Sequence, residues 1–140
     1  ARCYKQVISY KIDMHSIKDS EIMSRKVHTV EPETSLVEAA KRMYENRIGC
    51  LVIVSGGKCV GIITERDFVR LFSMMTPPHG SVGDYMTSPP ITVKMDASVN
   101  EARNIMETHK IRHIPVVDMR GELVGLVSMR DIFERIETLI

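Results

Sequence analysis

Apolar positions in this chain alternate between a helical spacing and short unbroken runs, and that alternation predicts its elements. Ile17-Lys18-Asp19-Ser20-Glu21-Ile22-Met23 reads as a short helical turn, and Val27-His28-Thr29-Val30 as a brief strand ended by Pro32. Ser35-Leu36-Val37-Glu38 is a capping-box pattern, in which the serine side chain takes an orphan N–H at the helix start. Leu36, Ala39, Ala40 and Met43 then share one helix face. Gly49 to Val54 is a continuous apolar run, as in a strand covered on both sides. Ser55-Gly56-Gly57-Lys58 turns the chain, its glycines supplying the positive φ a hairpin needs, and Cys59 to Ile63 returns as the partner strand. From Thr64 a helix is expected to run to about Phe72, burying Phe68, Leu71 and Phe72. The order is β-α-β-β-α.

Ser73 to Gly80 breaks every periodicity, and the same order then starts again. Ser81 to Met86 is a second turn, Ile91-Thr92-Val93 a second brief strand, and Ser98 caps a helix with Val99, Ala102, Ile105 and Met106 inward. Strand Ile111 to Val117, a turn at Asp118 to Gly121 and strand Leu123 to Val127 follow. A last helix starts at Ser128 and buries Ile132, Phe133 and Ile136. Pro115 has no N–H to give a ladder, so it is expected at an edge or a bulge.

The repetition extends to polar residues. A shift of 63 lays Met23 on Met86, Thr29-Val30 on Thr92-Val93, Ser35 on Ser98 and Glu38-Ala39 on Glu101-Ala102. A shift of 64 lays Val60-Gly61 on Val124-Gly125, Thr64 on Ser128 and Arg66-Asp67 on Arg130-Asp131. Matching glycine and polar positions rule out coincidence and mark an internal repeat. The expected organisation is residues 1–16 as an N-terminal extension or linker, 17–72 as the first repeat, 73–80 as the link and 81–140 as the second repeat. Residues 6–12 alternate loosely, which fits either one added strand or a connection from an upstream domain. A repeat of about 55 residues buries too small a fraction of its surface to be comfortable alone. The two are therefore expected to form one mixed α+β module, with sheets packed face to face about a pseudo-twofold axis. Two equivalent clefts would lie at the junction, a favoured place for ligand sites.

Composition narrows the function classes. Of the 140 residues, 44% are hydrophobic and 26% charged, as in ordinary globular proteins. A net charge of +1 supplies no field to draw in nucleic acid or an anionic membrane, and the absence of tryptophan argues against a stacking platform. No apolar run approaches the ~20 residues needed to span a bilayer. With no apolar signal-peptide core at its start, the chain is expected in the cytoplasm. Ala1 in place of an initiator Met is consistent with a piece of a longer protein. Cys3, Cys50 and Cys59 show no Cys-x-x-Cys spacing, and Cys50 and Cys59 are read as small core residues. Neither a metal-ligand spacing nor a nucleophile–base pair is recognisable.

The stretch with chemistry is Gly61-Ile62-Ile63-Thr64-Glu65-Arg66-Asp67 and its echo Gly125-Leu126-Val127-Ser128-Met129-Arg130-Asp131. An acidic side chain at a strand-to-helix corner can accept hydrogen bonds from a vicinal diol, so a nucleotide ribose is the first ligand to consider. Thr-x-x-Asp and Ser-x-x-Asp also fit plain capping boxes, which need no ligand. Both roles are compatible, because a carboxylate locked by its cap is already oriented.

Taken together, residues 17–138 resemble a tandem pair of cystathionine-β-synthase-type (CBS) domains, the arrangement called a Bateman module. The resemblance rests on the two Met lead-ins, the paired Thr-Val strands and both Ser-x-x-Glu-Ala helix starts. It continues through Ile114-Pro115-Val116-Val117-Asp118 and both glycine-to-aspartate corners. It implies a regulatory module without catalysis that binds AMP, ADP, ATP or S-adenosylmethionine between the repeats and forms homodimers, with an enzyme or transporter as the regulated partner. One cleft would combine Thr64, Arg66 and Asp67 with Met86, Pro90, Ile91, Arg112, His113 and Ile114. The other would combine Ser128, Arg130 and Asp131 with Met23, Lys26, Val27, Gly49, Cys50 and Leu51. Arg112 and His113 make the first the better phosphate site, while Gly49 and Cys50 leave the second to an adenosyl group without phosphates, or to nothing. The alternative is a structural dimerisation module with vestigial clefts.

Overall fold

The computed structural model describes residues 16–139; the expected strand within 6–12 lies outside them. Each repeat yields a three-stranded sheet and two longer helices. In the first, β1 (Thr29–Val30) leads to α2 (Leu36–Asn46), β2 (Cys50–Ser55), β3 (Lys58–Thr64) and α3 (Glu65–Ser73). In the second, β4 (Val93–Lys94) leads to α4 (Val99–His109), β5 (His113–Val117), β6 (Leu123–Ser128) and α5 (Met129–Leu139). A single helical turn, α1 (Asp19–Ile22), and a 3-10 turn at Val82–Asp84 open the respective repeats. The chain is thus mixed α+β, with β-α-β-β-α twice. In each sheet the short strand pairs parallel to the middle one, and the middle and last strands form an antiparallel hairpin.

The helix starts form as their residues dictate. Ser35 and Ser98 accept hydrogen bonds from the Glu38 and Glu101 N–H groups, at 3.1 and 3.2 Å, filling orphan donors. Leu36, Ala39 and Met43 face one core with Leu51, Ile53 and Ile63, while Val99, Ala102 and Met106 face another with Ile114, Val116 and Val127. Among the described residues no helix is long and apolar enough to cross a membrane.

Two compact units result, and they do not follow the repeats end to end. One is Val27–Pro90; the other joins the described residues up to Lys26 with those from Ile91 on. Each repeat's lead-in turn is therefore packed on the sheet of the other. The two dockings match under the shift of 63. Val99 N–H donates to Ile17 O and Asp19 N–H to Ala97 O in one unit; Leu36 N–H donates to Gly80 O and Val82 N–H to Thr34 O in the other. Each lead-in then adds one antiparallel bridge to a hairpin edge, Ser24 with Leu126 and Thr87 with Ile62.

The same docking explains the glycine that opens each corner motif. The Met23 side chain lies across Gly125 and the Met86 side chain across Gly61. A Cβ on Gly125 would meet the Met23 sulfur, with Met23 Cγ at 2.8 Å and Ser24 O at 3.0 Å; a Cβ on Gly61 would meet the Met86 sulfur, with Met86 Cγ at 2.8 Å and Thr87 O at 3.1 Å. A close approach to another segment's backbone requires glycine.

Two expectations are corrected. Phe72 is 88% exposed, not buried. The inner stripe of α3 runs through Phe68 and Leu71, so Phe72 falls with Val69 on the exposed side. Pro115 lies in the central strand of its sheet, next to a bulge between Val116 and Val117. It is tolerated because Leu126, opposite it, spends its N–H and C=O on Ser24, and because the pairing with β4 begins only at Val116.

Gly125→Ala is expected to lower stability by about 1–3 kcal/mol, as overpacking does. The loss should shrink when Met23→Ala is already present, as urea denaturation can measure. Equal losses in both backgrounds would refute this account of the glycine.

Candidate functional site

Both candidate corners lie where the last strand of a hairpin hands over to a helix. In the Val27–Pro90 unit, Thr64 ends β3 in extended backbone and is the N-cap of α3. Its N–H and Oγ1 donate to Asp67 Oδ2, at 2.9 and 3.1 Å, and its Oγ1 accepts from the Asp67 N–H at 3.4 Å. In the other unit, Ser128 N–H and Oγ donate to Asp131 Oδ2 at 2.7 and 2.9 Å, and Ser128 Oγ accepts from the Asp131 N–H at 3.1 Å. The capping reading is therefore correct in full, and it occupies only one carboxylate oxygen. Asp67 Oδ1 has Arg70 Nη2 at 3.7 Å, an i,i+3 pair not singled out in the sequence although its spacing is legible there. No protein group is recorded on Asp131 Oδ1 among the described residues.

The surroundings of the two corners differ. Thr64 stands opposite Cys50 in the β2–β3 ladder, and the Glu65 N–H donates to Gly49 O at 3.0 Å. Cys50 is buried, and burial, with a smaller contribution from Glu65, pushes its thiol up to about 12, so it stays neutral. Leu51 is fully buried, leaving only its backbone for any ligand. Met86, half-buried, covers Gly61 at the foot of this corner. Val27 and Pro90, at the two ends of the unit, are half-buried, and Arg66 is exposed on α3.

At the second corner Ser128 stands opposite His113, and the Met129 N–H donates to Arg112 O at 2.9 Å. Arg112 is exposed and His113 half-buried, while Ile114 is fully buried. Arg130 extends along its own helix to Glu134, Nε to Oε1 at 3.1 Å, with most of its side chain in solvent. Met23 covers Gly125, Lys26 is exposed and Ile91 half-buried. Within each unit, then, Arg112 and His113 neighbour the Ser128–Asp131 corner, and the neutral Gly49 and Cys50 neighbour the Thr64–Asp67 corner. Among the described residues no group of three His, Cys, Asp or Glu side chains could hold a metal ion.

Comparison with known proteins points the same way along most of the chain. The family model for the CBS domain matches residues 20–74 and again 82–138. An inosine-5'-monophosphate dehydrogenase from Korarchaeum cryptofilum is 44% identical over 113 residues, which is 79% of this chain and 22% of that protein. Among solved structures, the CBS domain protein PAE2072 from Pyrobaculum aerophilum, complexed with AMP, aligns with a TM-score of 0.79 and 30% identity over 87% of this chain and 99% of that one. The CBS domain pair of protein MJ0100, in complex with 5-methylthioadenosine and S-adenosyl-L-methionine, aligns with a TM-score of 0.79 and 30% identity, covering 86% and 96% of the two chains.

Removing the hydroxyl of either cap, by Thr64→Ala or Ser128→Ala, is expected to cost about 1 kcal/mol without any ligand. Urea denaturation of the two variants checks this, and no loss in either would show the caps to be energetically idle.

Proposed function

The chain belongs to the CBS domain family as a tandem pair of the domain, and from that premise we propose a regulatory module that binds an adenosyl nucleotide and performs no catalysis of its own. The observation that carries this reading is the cap-locked carboxylate at each corner, whose second oxygen meets only the exposed Arg70 at Asp67 and, among the described residues, no protein group at Asp131. Oδ2 is locked by its cap, so the position of Oδ1 is set before a ribose diol arrives, and little ordering entropy remains to be lost. The AMP bound to PAE2072, and the 5-methylthioadenosine and S-adenosylmethionine bound to MJ0100, share the adenosyl group and support it as the common ligand element.

In this reading Asp67, with Thr64, Arg66, Met86, Pro90 and Ile91, takes the ribose of a phosphate-bearing ligand such as AMP, ADP or ATP. Arg112 and His113, beside Ile114, take the phosphate through charge-assisted bonds. Asp131, with Ser128, Arg130, Met23, Lys26, Val27, Gly49, Cys50 and Leu51, takes an adenosyl group without a phosphate chain. The module acts on an enzyme or transporter, in keeping with a relative in which the matched part is 22% of a dehydrogenase. A cytoplasmic setting suits the free thiols of Cys50 and Cys59.

A thermal-shift panel of AMP, ADP, ATP, NAD, S-adenosylmethionine and adenosine tests the reading. A ligand at 100 times its Kd adds about 2.7 kcal/mol of stability, a rise of a few degrees in Tm. No shift with any of them at millimolar concentration would sink the sensor. The Arg112→Ala, His113→Ala double variant is expected to weaken AMP at least tenfold and leave adenosine unchanged. Asp67→Ala should abolish AMP binding and Asp131→Ala should spare it; the reverse would regroup the corners.

A second reading, a dimerisation module with vestigial clefts, is favoured by the outward Val69 and Phe72, 71% and 88% exposed on α3. We place a homodimer contact there in either case. Phe72→Glu is expected to yield monomers by sedimentation velocity. Dimers that persist would move the contact elsewhere, and dimers indifferent to every nucleotide would select the structural reading.

A further inference from the structure

Asp19 puts a carboxylate where the other lead-in turn has an apolar core side chain. The shift of 63 lays it on Val82, and the backbone roles agree: Asp19 O accepts from the Met23 N–H at 2.9 Å as Val82 O accepts from the Met86 N–H at 2.8 Å. Val82 is fully buried in an apolar core, as its side chain suits. Asp19 is equally buried, at 0% exposure, and among the described residues neither of its carboxylate oxygens has a hydrogen-bond partner. A buried charge without a partner is costly, and a neutral carboxylic acid is far less so.

The charged groups on the neighbouring elements do not relieve it. On α4, Arg103 gives its guanidinium to Asn100 Oδ1 at 3.0 Å and Glu107 Oε1 at 3.4 Å, and Glu101 adds a repulsive charge. Asp96, between β4 and α4, is exposed, as is Lys94. On α5, Arg130 pairs with Glu134, Asp131 is capped by Ser128, and Arg135 is exposed. In the turn itself, Glu21 accepts from the Lys18 N–H, and both side chains point outward.

We propose that Asp19 makes the docking of its lead-in turn dependent on pH: the neutral carboxyl holds residues 17–24 on the α4 start and the β6 edge, and the ionised carboxyl releases them. Burial first, and the Glu101 charge second, raise this carboxyl from its ordinary 3.8 to about 7. The sign follows from where the proton is held. Between these values the docked turn keeps a proton that the released turn gives up, so docking weakens as pH rises through about 7 and is strongest below about 4. The turn carries Met23 across Gly125 and Ser24 to Leu126, so release uncovers the foot of the Ser128–Asp131 corner. This inference stands apart from the nucleotide reading and needs no ligand to be tested.

Amide hydrogen exchange on the full chain, from pH 5 to 8, reads the docking directly at Ser24 and Leu126. After correction for intrinsic base catalysis, the opening equilibrium is expected to rise up to about tenfold per pH unit below 7. Asp19→Asn and Asp19→Val, the latter carrying the side chain of the sister position, should both flatten that dependence. Should Asp19→Asn fail to fold, Asp19→Val carries the test. Wild-type exchange that follows the intrinsic rate, or an equal pH dependence in Asp19→Val, overturns the proposal.

Discussion

In each unit a methionine is laid across a glycine where the lead-in turn meets the hairpin. The lead-in turn approaches the hairpin so closely that Ser24 and Leu126, or Thr87 and Ile62, exchange backbone hydrogen bonds in both directions. That approach leaves no room for a side chain at Gly125 or Gly61, and the thioether fills the space instead, flexible enough to follow the surface beneath it. The rest follows from this constraint. The hairpin edge is covered rather than left open to pairing, Pro115 can sit in a central strand because Leu126 is engaged on its far side, and the last strand reaches its helix in a defined register.

The corners show how a structural cap also fixes the direction of a side chain. A capping box asks for one oxygen of an aspartate, and the other oxygen is a by-product held at a fixed place. The two corners are alike in their caps and unlike in their settings. A neutral, buried thiol faces Thr64, and a half-buried imidazole faces Ser128. The same cap is thus set beside a neutral apolar group in one unit and beside a polar ring in the other.

What was legible in the chain was what acts within a turn or two. The serine and threonine caps, the paired aspartates and the hairpin glycines all declare themselves at fixed short spacings, and the repeat made them unambiguous. Phe72 differs from its expectation because Phe68 has apolar residues at both i+3 and i+4, and spacing alone does not say which of Leu71 and Phe72 turns inward. The corner glycines were visible as a pattern, but their reason lay in a turn some 25 residues later for Gly61 and about a hundred earlier for Gly125. Asp19 looked like any polar residue of a short helix. Its burial depends on Met95 and Ala97, far along the chain, and only its alignment with Val82 could have exposed it.

The crossed lead-ins also set an order of assembly. Val27–Pro90 is continuous in sequence, so every contact of that unit is available once Pro90 has been synthesised. The other unit is built from both sides of it, and its lead-in turn must wait for β5, β6 and α5 before Met23 has a surface to cover. Closing so long a loop costs only slightly more than closing a short one. The delay is therefore one of timing rather than of stability. During synthesis the Ser128–Asp131 corner therefore forms after the Thr64–Asp67 corner, and the lead-in turn beside it finds its place later than its counterpart does.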